Sequence, residues 1–100
     1  MATLHVAWIR SSFGGGGEPG QCINDIVSSE NVTTSGTTAR SGVRPANATH
    51  AVVTSVDSNH YVSNAGLTAT IAATNSVVIM SGGFHAFAVG SGEKVAAVTF

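Results

Sequence analysis

The sequence predicts an all-β chain: a compact β-sandwich or jelly-roll-like barrel of about eight short antiparallel strands, with no significant helix. Three observations carry this expectation. The apolar residues are the wrong ones for helices, with thirteen Val and five Ile against two Leu, Leu4 and Leu67. Val, Ile and Thr fit a pleated surface, whereas helices lean on Leu, Ala, Glu and Lys. Apolar and polar residues alternate with a period of two in several segments. Turn residues recur every eight to twelve positions along the hundred-residue chain, the spacing of a sandwich or jelly roll.

The first strand spans residues 3–9, T-L-H-V-A-W-I, with Leu4, Val6 and Trp8 on one face and Thr3, His5 and Ala7 on the other. Residues 11–20 form a flexible loop, because four consecutive glycines, Gly14, Gly15, Gly16 and Gly17, followed by Glu18, Pro19 and Gly20, make ordering too costly in entropy. Residues 22–28 form a short strand carrying Ile23, Ile26 and Val27, interrupted by Asn24 and Asp25. Residues 30–45 are Thr-rich and polar on both faces, as an edge segment or an arm lying on a neighbour would be.

Residues 50–57, H-A-V-V-T-S-V-D, read as an interior strand, Asp57, Ser58 and Asn59 as a turn, and 60–63 as the return strand of a hairpin. Leu67, Ala69, Ile71 and Ala73 mark one face of a further strand over 67–74, and 77–80 is a short apolar strand. In the strand over 84–89, Phe84, Ala86 and Ala88 oppose His85, Phe87 and Val89. Gly90, Ser91 and Gly92 turn the chain into a last strand, 94–100.

A chain of this length is one domain with one modest core. Its four basic and five acidic residues are scattered and sum to −1. Nucleic-acid binding needs clustered Lys and Arg, and a membrane-spanning helix needs about 20 apolar residues in a row; neither is present, so neither partner is expected. The N-terminus lacks the basic and apolar regions of a secretory signal, and the single Cys22 has no intrachain partner, which points to synthesis in a cytoplasm.

No catalytic chemistry stands out. The five acids sit in or beside turns or a weak strand, no Gly-x-Ser-x-Gly elbow occurs, and the glycine run lacks the Gly-Lys-Ser/Thr of a phosphate loop. The chain is therefore not expected to be an enzyme or to carry a metal or cofactor. Of His5, His50, His60 and His85, only His50 and His60 would approach each other, across the expected hairpin. Phe13 beside the glycines is an aromatic in a mobile loop, and with Gly14, Gly15, Gly16 and Gly17 it makes a candidate partner-contact loop. Tyr61 with Asp57, Asn59 and Asn64 is the one local arrangement of the kind that binds sugars.

Four stretches carry a resemblance: 44–54 (R-P-A-N-A-T-H-A-V-V-T), 62–70, 82–90 (G-G-F-H-A-F-A-V-G) and 92–98 (G-E-K-V-A-A-V), joined by the opening strand over 2–12. They are similar to small virion proteins of tailed bacteriophages, in which a Gly-rich turn, an aromatic-bearing strand and a Gly-acid-Lys-Val-Ala strand close the β module. The resemblance implies a capsid decoration, or cement, protein on the head surface, clustering as a homotrimer and binding the major capsid protein, with no catalytic residues to carry over. The Gly14–Gly17 loop departs from the family's usual connection. Related modules occur in tails and fibres, which gives the alternative: a carbohydrate- or receptor-binding β module. The surface agrees with burial in an assembly, because nine charges in a hundred residues is far below the roughly 25% of an ordinary soluble domain.

Overall fold

The computed structural model describes residues 2–13, 21–64, 71 and 75–100. Eight strands run in order: β1 (Ala2–Phe13), β2 (Gln21–Thr34), β3 (Ala39–Arg40), β4 (His50–Ser55), β5 (His60–Ser63), β6 (Val77–Ile79), β7 (Phe84–Ala88) and β8 (Ala96–Thr99). They form two four-stranded sheets, β2-β1-β4-β7 and β3-β8-β5-β6, in which every pairing is antiparallel. No α-helix occurs among the described residues. Of the two closures the sequence leaves open, the sandwich is the one formed. The sheets share no strand and do not close into a barrel.

The connectivity is ordered. Counting from β2 and letting β1 come last, the sheets read first–eighth–third–sixth and second–seventh–fourth–fifth. That is the strand order of a jelly roll, with the strand that would close the fold placed at its start. β1 is therefore a central strand, flanked by β2 and β4.

The core lies between the sheets, where period-two alternation aims one residue in two. Leu4, Val6 and Trp8 from β1, Ala51 and Val53 from β4, and Phe87 from β7 meet Val62, Ile79 and Ala97 of the facing sheet. Each fully buried branched side chain contributes roughly 1.5–3 kcal/mol by leaving water. Tight turns join the layers. The links at 80–83 and 90–93 close with Gly83 N–H to Met80 O (2.8 Å) and Glu93 N–H to Gly90 O (3.1 Å). Their third residues, Gly82 and Gly92, take φ of 83° and 78°. A type II turn requires that left-handed value, which explains the glycines.

Three sequence expectations need correction. Residues 50–63 are not a hairpin: β4 lies in one sheet and β5 in the other, and 56–59 crosses between them. His50 and His60 are consequently on different sheets. The loop expected over 11–20 starts later, because residues 11–13 continue β1 and pair with β2, as far as Phe13 opposite Gln21. Ile71 lies outside any strand, with the rest of the strand expected over 67–74 outside the described residues. Ile71 instead packs on the outer face of the second sheet with Ala96, Val98 and Tyr61.

β1 is longer than its neighbour β4, which pairs with it only from Leu4 to Ile9. Beyond Ile9, β1 pairs among the described residues with β2 alone, and the two continue as a two-stranded ribbon. The register slips between Trp8 and Ile9 and between Arg10 and Ser11, with Val27 and Asn24 as the extra residues on β2. Such bulges bend and twist a strand pair, here where the ribbon leaves the sandwich. Twelve residues at about 3.3 Å each span roughly 40 Å, which accounts for the 42 Å long axis against 25 and 24 Å across.

Candidate functional site: an uncharged assembly surface

The two sides of the sandwich differ. On the β2/β3 side, Glu30 points inward from the edge strand. Its carboxylate accepts Trp8 Nε1–H (3.2 Å) and Gly42 N–H (2.8 Å), drawing the 41–49 connection over the core. An inward charge on an edge strand also discourages pairing with another chain. Glu30→Ala is expected to cost about 1–2 kcal/mol and to change the near-ultraviolet circular dichroism of Trp8, the single tryptophan. Glu30→Gln, which keeps an acceptor, should lose less. An unchanged denaturation midpoint in Glu30→Ala would remove this role.

Of the other charges among the described residues, Asp25 stands opposite Arg10 in the ribbon ladder. Arg40 is on β3, Arg10 is on the ribbon, Arg44, Glu93 and Lys94 are in the connections around 41–49 and 89–95, and Asp57 is in the 56–59 crossing. Arg44 N–H donates to Glu93 O (2.9 Å) and Arg44 Nη1 to Val89 O (3.1 Å), so these charges tie the connections together.

The β6/β7 side is the opposite in character. Between Asp57 and Glu93 the sequence contains no Asp, Glu, Lys or Arg. Val77, Val78, Met80 and Phe84 are exposed there, Phe84 at 73%. Phe84 also forms one corner of the outer face of the first sheet. The ladder puts Ser29, Asn31 and Thr33 of β2, Thr3, His5 and Ala7 of β1, His50, Val52 and Thr54 of β4, and Phe84, Ala86 and Ala88 of β7 on that face. No charged residue stands among them. His5 Nδ1 and Asn31 Oδ1 are 2.8 Å apart, which fixes the rows across β1 and β2. Ile71 packs on Ala96, Val98 and Tyr61 of the second sheet's outer face. On the first sheet's outer face Ile9 is buried, whereas the rows of β2 and β7, with Phe84 among them, are exposed.

The sequence candidates fare unevenly. Gly14, Gly15, Gly16 and Gly17 lie outside the described residues, and Phe13 is placed at the end of β1 beside their connection. The sugar-site candidates are occupied by the fold itself. Asp57 Oδ1 accepts Thr3 N–H (2.8 Å), Asn59 Oδ1 accepts Ser81 N–H (2.9 Å), Asn64 Nδ2 donates to Ala88 O, and Tyr61 stacks on Phe100 at 4.2 Å between ring centroids. Among the described residues, no three of His, Cys, Asp and Glu come together as metal ligands would. The neutral surface was within reach of sequence reasoning through the charge-free run from 58 to 92, but its extent depends on which strands become neighbours.

His60 is fully buried between the sheets at the end where 56–59 crosses. Its Nδ1 is 3.1 Å from Ser58 O and 3.0 Å from Ser55 Oγ, and its Nε2 is 2.7 Å from Thr34 Oγ1. A carbonyl only accepts, so Nδ1 carries the proton and Nε2 accepts the Thr34 hydroxyl. Ser55 Oγ in turn donates to Ile79 O (3.0 Å). Thr34 and Ser55 belong to the first sheet and His60 and Ile79 to the second, so the cluster fastens the layers together. Burial lowers the pKa of His60, and the Ser58 carbonyl and the Asp57 charge only partly oppose it. This is structural chemistry, remote from the neutral face.

No family model matches this chain, no curated protein matches it, and no solved structure matches it. What the chain does has to be read from its own surfaces.

Proposed function

We propose that this protein is a structural virion protein that decorates and stabilises a bacteriophage capsid by binding major capsid protein subunits, its copies associating on the shell as the trimer the resemblance implies. The observation that carries the reading is the uncharged outer face of the first sheet, four strands wide, with its β2 and β7 rows exposed and Phe84 at its corner. Such a face suits burial under a large partner, because covering it strands no charge away from water. Hot spots of interfaces are commonly aromatic anchors surrounded by near-neutral contacts, and Phe84 among Ala86, Thr54 and Val52 has that composition. The mechanism is mass action. A protein that binds the assembled shell and not its separated subunits stabilises the shell by RT ln(1 + [L]/Kd).

The test is co-sedimentation with phage heads purified without this protein. The parent chain is expected to load heads to saturation and raise their disassembly temperature. Phe84→Ser, which alters an exposed side chain and leaves the core intact, should lower apparent affinity by about tenfold or more, as loss of an interface aromatic does. Failure of the parent chain to load heads would refute the capsid reading. Equal loading by Phe84→Ser would move the contact to another surface.

A further inference from the structure

Among the described residues the sandwich leaves four strand edges at its sides, and three of them carry a device against pairing. β2 has two bulges and the inward Glu30, β3 is two residues long and β6 is three. β7 has none. Its five residues, Phe84–Ala88, pair with β4 without a register shift and include no charge and no proline. A regular, uncharged, apolar edge is the kind that recruits another strand.

The ladder also shows which backbone groups β7 offers. Val89 N–H donates to Thr49 O (3.2 Å) and Ser55 N–H to Gly83 O (3.0 Å). Bonded pairs recur at every second residue in an antiparallel ladder, so His85 and Phe87 also turn their backbone groups toward β4. The N–H and C=O groups of Phe84, Ala86 and Ala88 therefore face outward. The Asn64 side chain reaches Ala88 O from that side, as an outward carbonyl allows.

We propose that β7 pairs antiparallel with β7 of a second copy of this chain, about a two-fold axis through Ala86. The strand is complementary to itself in that register. Phe84 lies opposite the partner's Ala88, His85 opposite the partner's Phe87, and Ala86 opposite the partner's Ala86. Each large outer-face residue thus meets a small one. The outward groups at 84, 86 and 88 align with their counterparts to make six N–H···O bonds, with Ala88 O using its second lone pair. Only this register overlaps all five residues. A two-fold contact brings residues near the axis against their own copies, so any charge there would face itself; the charge-free stretch from 58 to 92 avoids that. The product is a continuous eight-stranded sheet whose neutral outer face is twice as wide. This pairing does not depend on the capsid reading and is compatible with three-fold contacts made through other surfaces.

The experiment uses the isolated full chain without heads, so its outcome is independent of capsid binding. Light scattering on a sizing column is expected to show the mass rising with concentration from the 10.0 kDa of one chain to twice that. Ala86→Lys and Ala86→Glu, each on an exposed side chain, should both remain at the single-chain mass where the parent is dimeric, with unchanged far-ultraviolet circular dichroism. Mixing the two in equal amounts should restore the dimer, because Lys then faces Glu across the axis. A parent that stays at the single-chain mass at every concentration overturns the proposal. So does an oligomer indifferent to Ala86→Lys, or a mixture that fails to recover.

Discussion

As the pH falls below 6.5, the folded state is expected to lose stability, and the loss should vanish in His60→Leu. Folding buries His60 completely and lowers its pKa from the ordinary 6.5, chiefly by desolvation. The unfolded chain then binds more protons than the folded one at pH values between the folded pKa and 6.5. Stability rises with pH wherever that holds. The contribution of neutral His60 is therefore complete above 6.5 and falls away as pH drops toward the folded value. Protonation would also force the Thr34 hydroxyl to turn from donor to acceptor at Nε2, breaking the order of the cluster. At neutral pH, His60→Leu should itself cost about 2–6 kcal/mol, because the Thr34 hydroxyl and Ser58 carbonyl lose their partners at about 1–3 kcal/mol each. Urea denaturation across pH checks both parts. A parent whose midpoint is flat between neutrality and the acid range, or a His60→Leu variant with the same pH slope as the parent, would contradict this account.

Trp8→Ala should be the most damaging core substitution, at about 3–5 kcal/mol. Trp8 is the largest fully buried side chain, lies on a central strand and reaches the edge through its bond to Glu30. Trp8→Phe separates the two roles. It keeps most of the apolar volume and loses the indole donor, so its cost should lie near that of Glu30→Ala. The double variant Trp8→Phe with Glu30→Ala should then be less destabilised than the sum of the singles, because both remove the same bond. Additive costs would mean that the bond at 3.2 Å contributes nothing separable.

Much of the fold was legible because alternation is a local property. The face assignments of Leu4, Val6 and Trp8, and of Phe87 and Val89 against Phe84, Ala86 and Ala88, follow from period two and agree with the burial of the folded chain. Neighbours are not local. Asp57, Ser58 and Asn59 mark a turn whether it closes a hairpin or crosses between sheets, so the residues 50–63 suggested a pairing that does not exist. The buried state of His60 was equally out of reach, since its partners Thr34 and Ser55 arrive from two other strands. Ser11 and Ser12 carry no apolar alternation, so only their pairing with Ile23 and Cys22 places them in β1. The candidate surface was half legible. Its neutrality is a property of composition, but its continuity across β2, β1, β4 and β7 is a property of strand order.

That order also governs how the chain reaches its native state. The second sheet has β8 between β3 and β5, so its middle is the last strand to be synthesised. Until Ala96–Thr99 arrive, β3 lacks its ladder partner and β5 pairs only with the three residues of β6. β1 is made first and has to wait for β4 before it becomes a central strand. Pairings between distant parts of a chain are slow to form because loop closure costs entropy before any contact compensates it. The second sheet thus completes only once β8 has been made, and until then its unpaired strands depend on dilution, or on a chaperone, to stay apart.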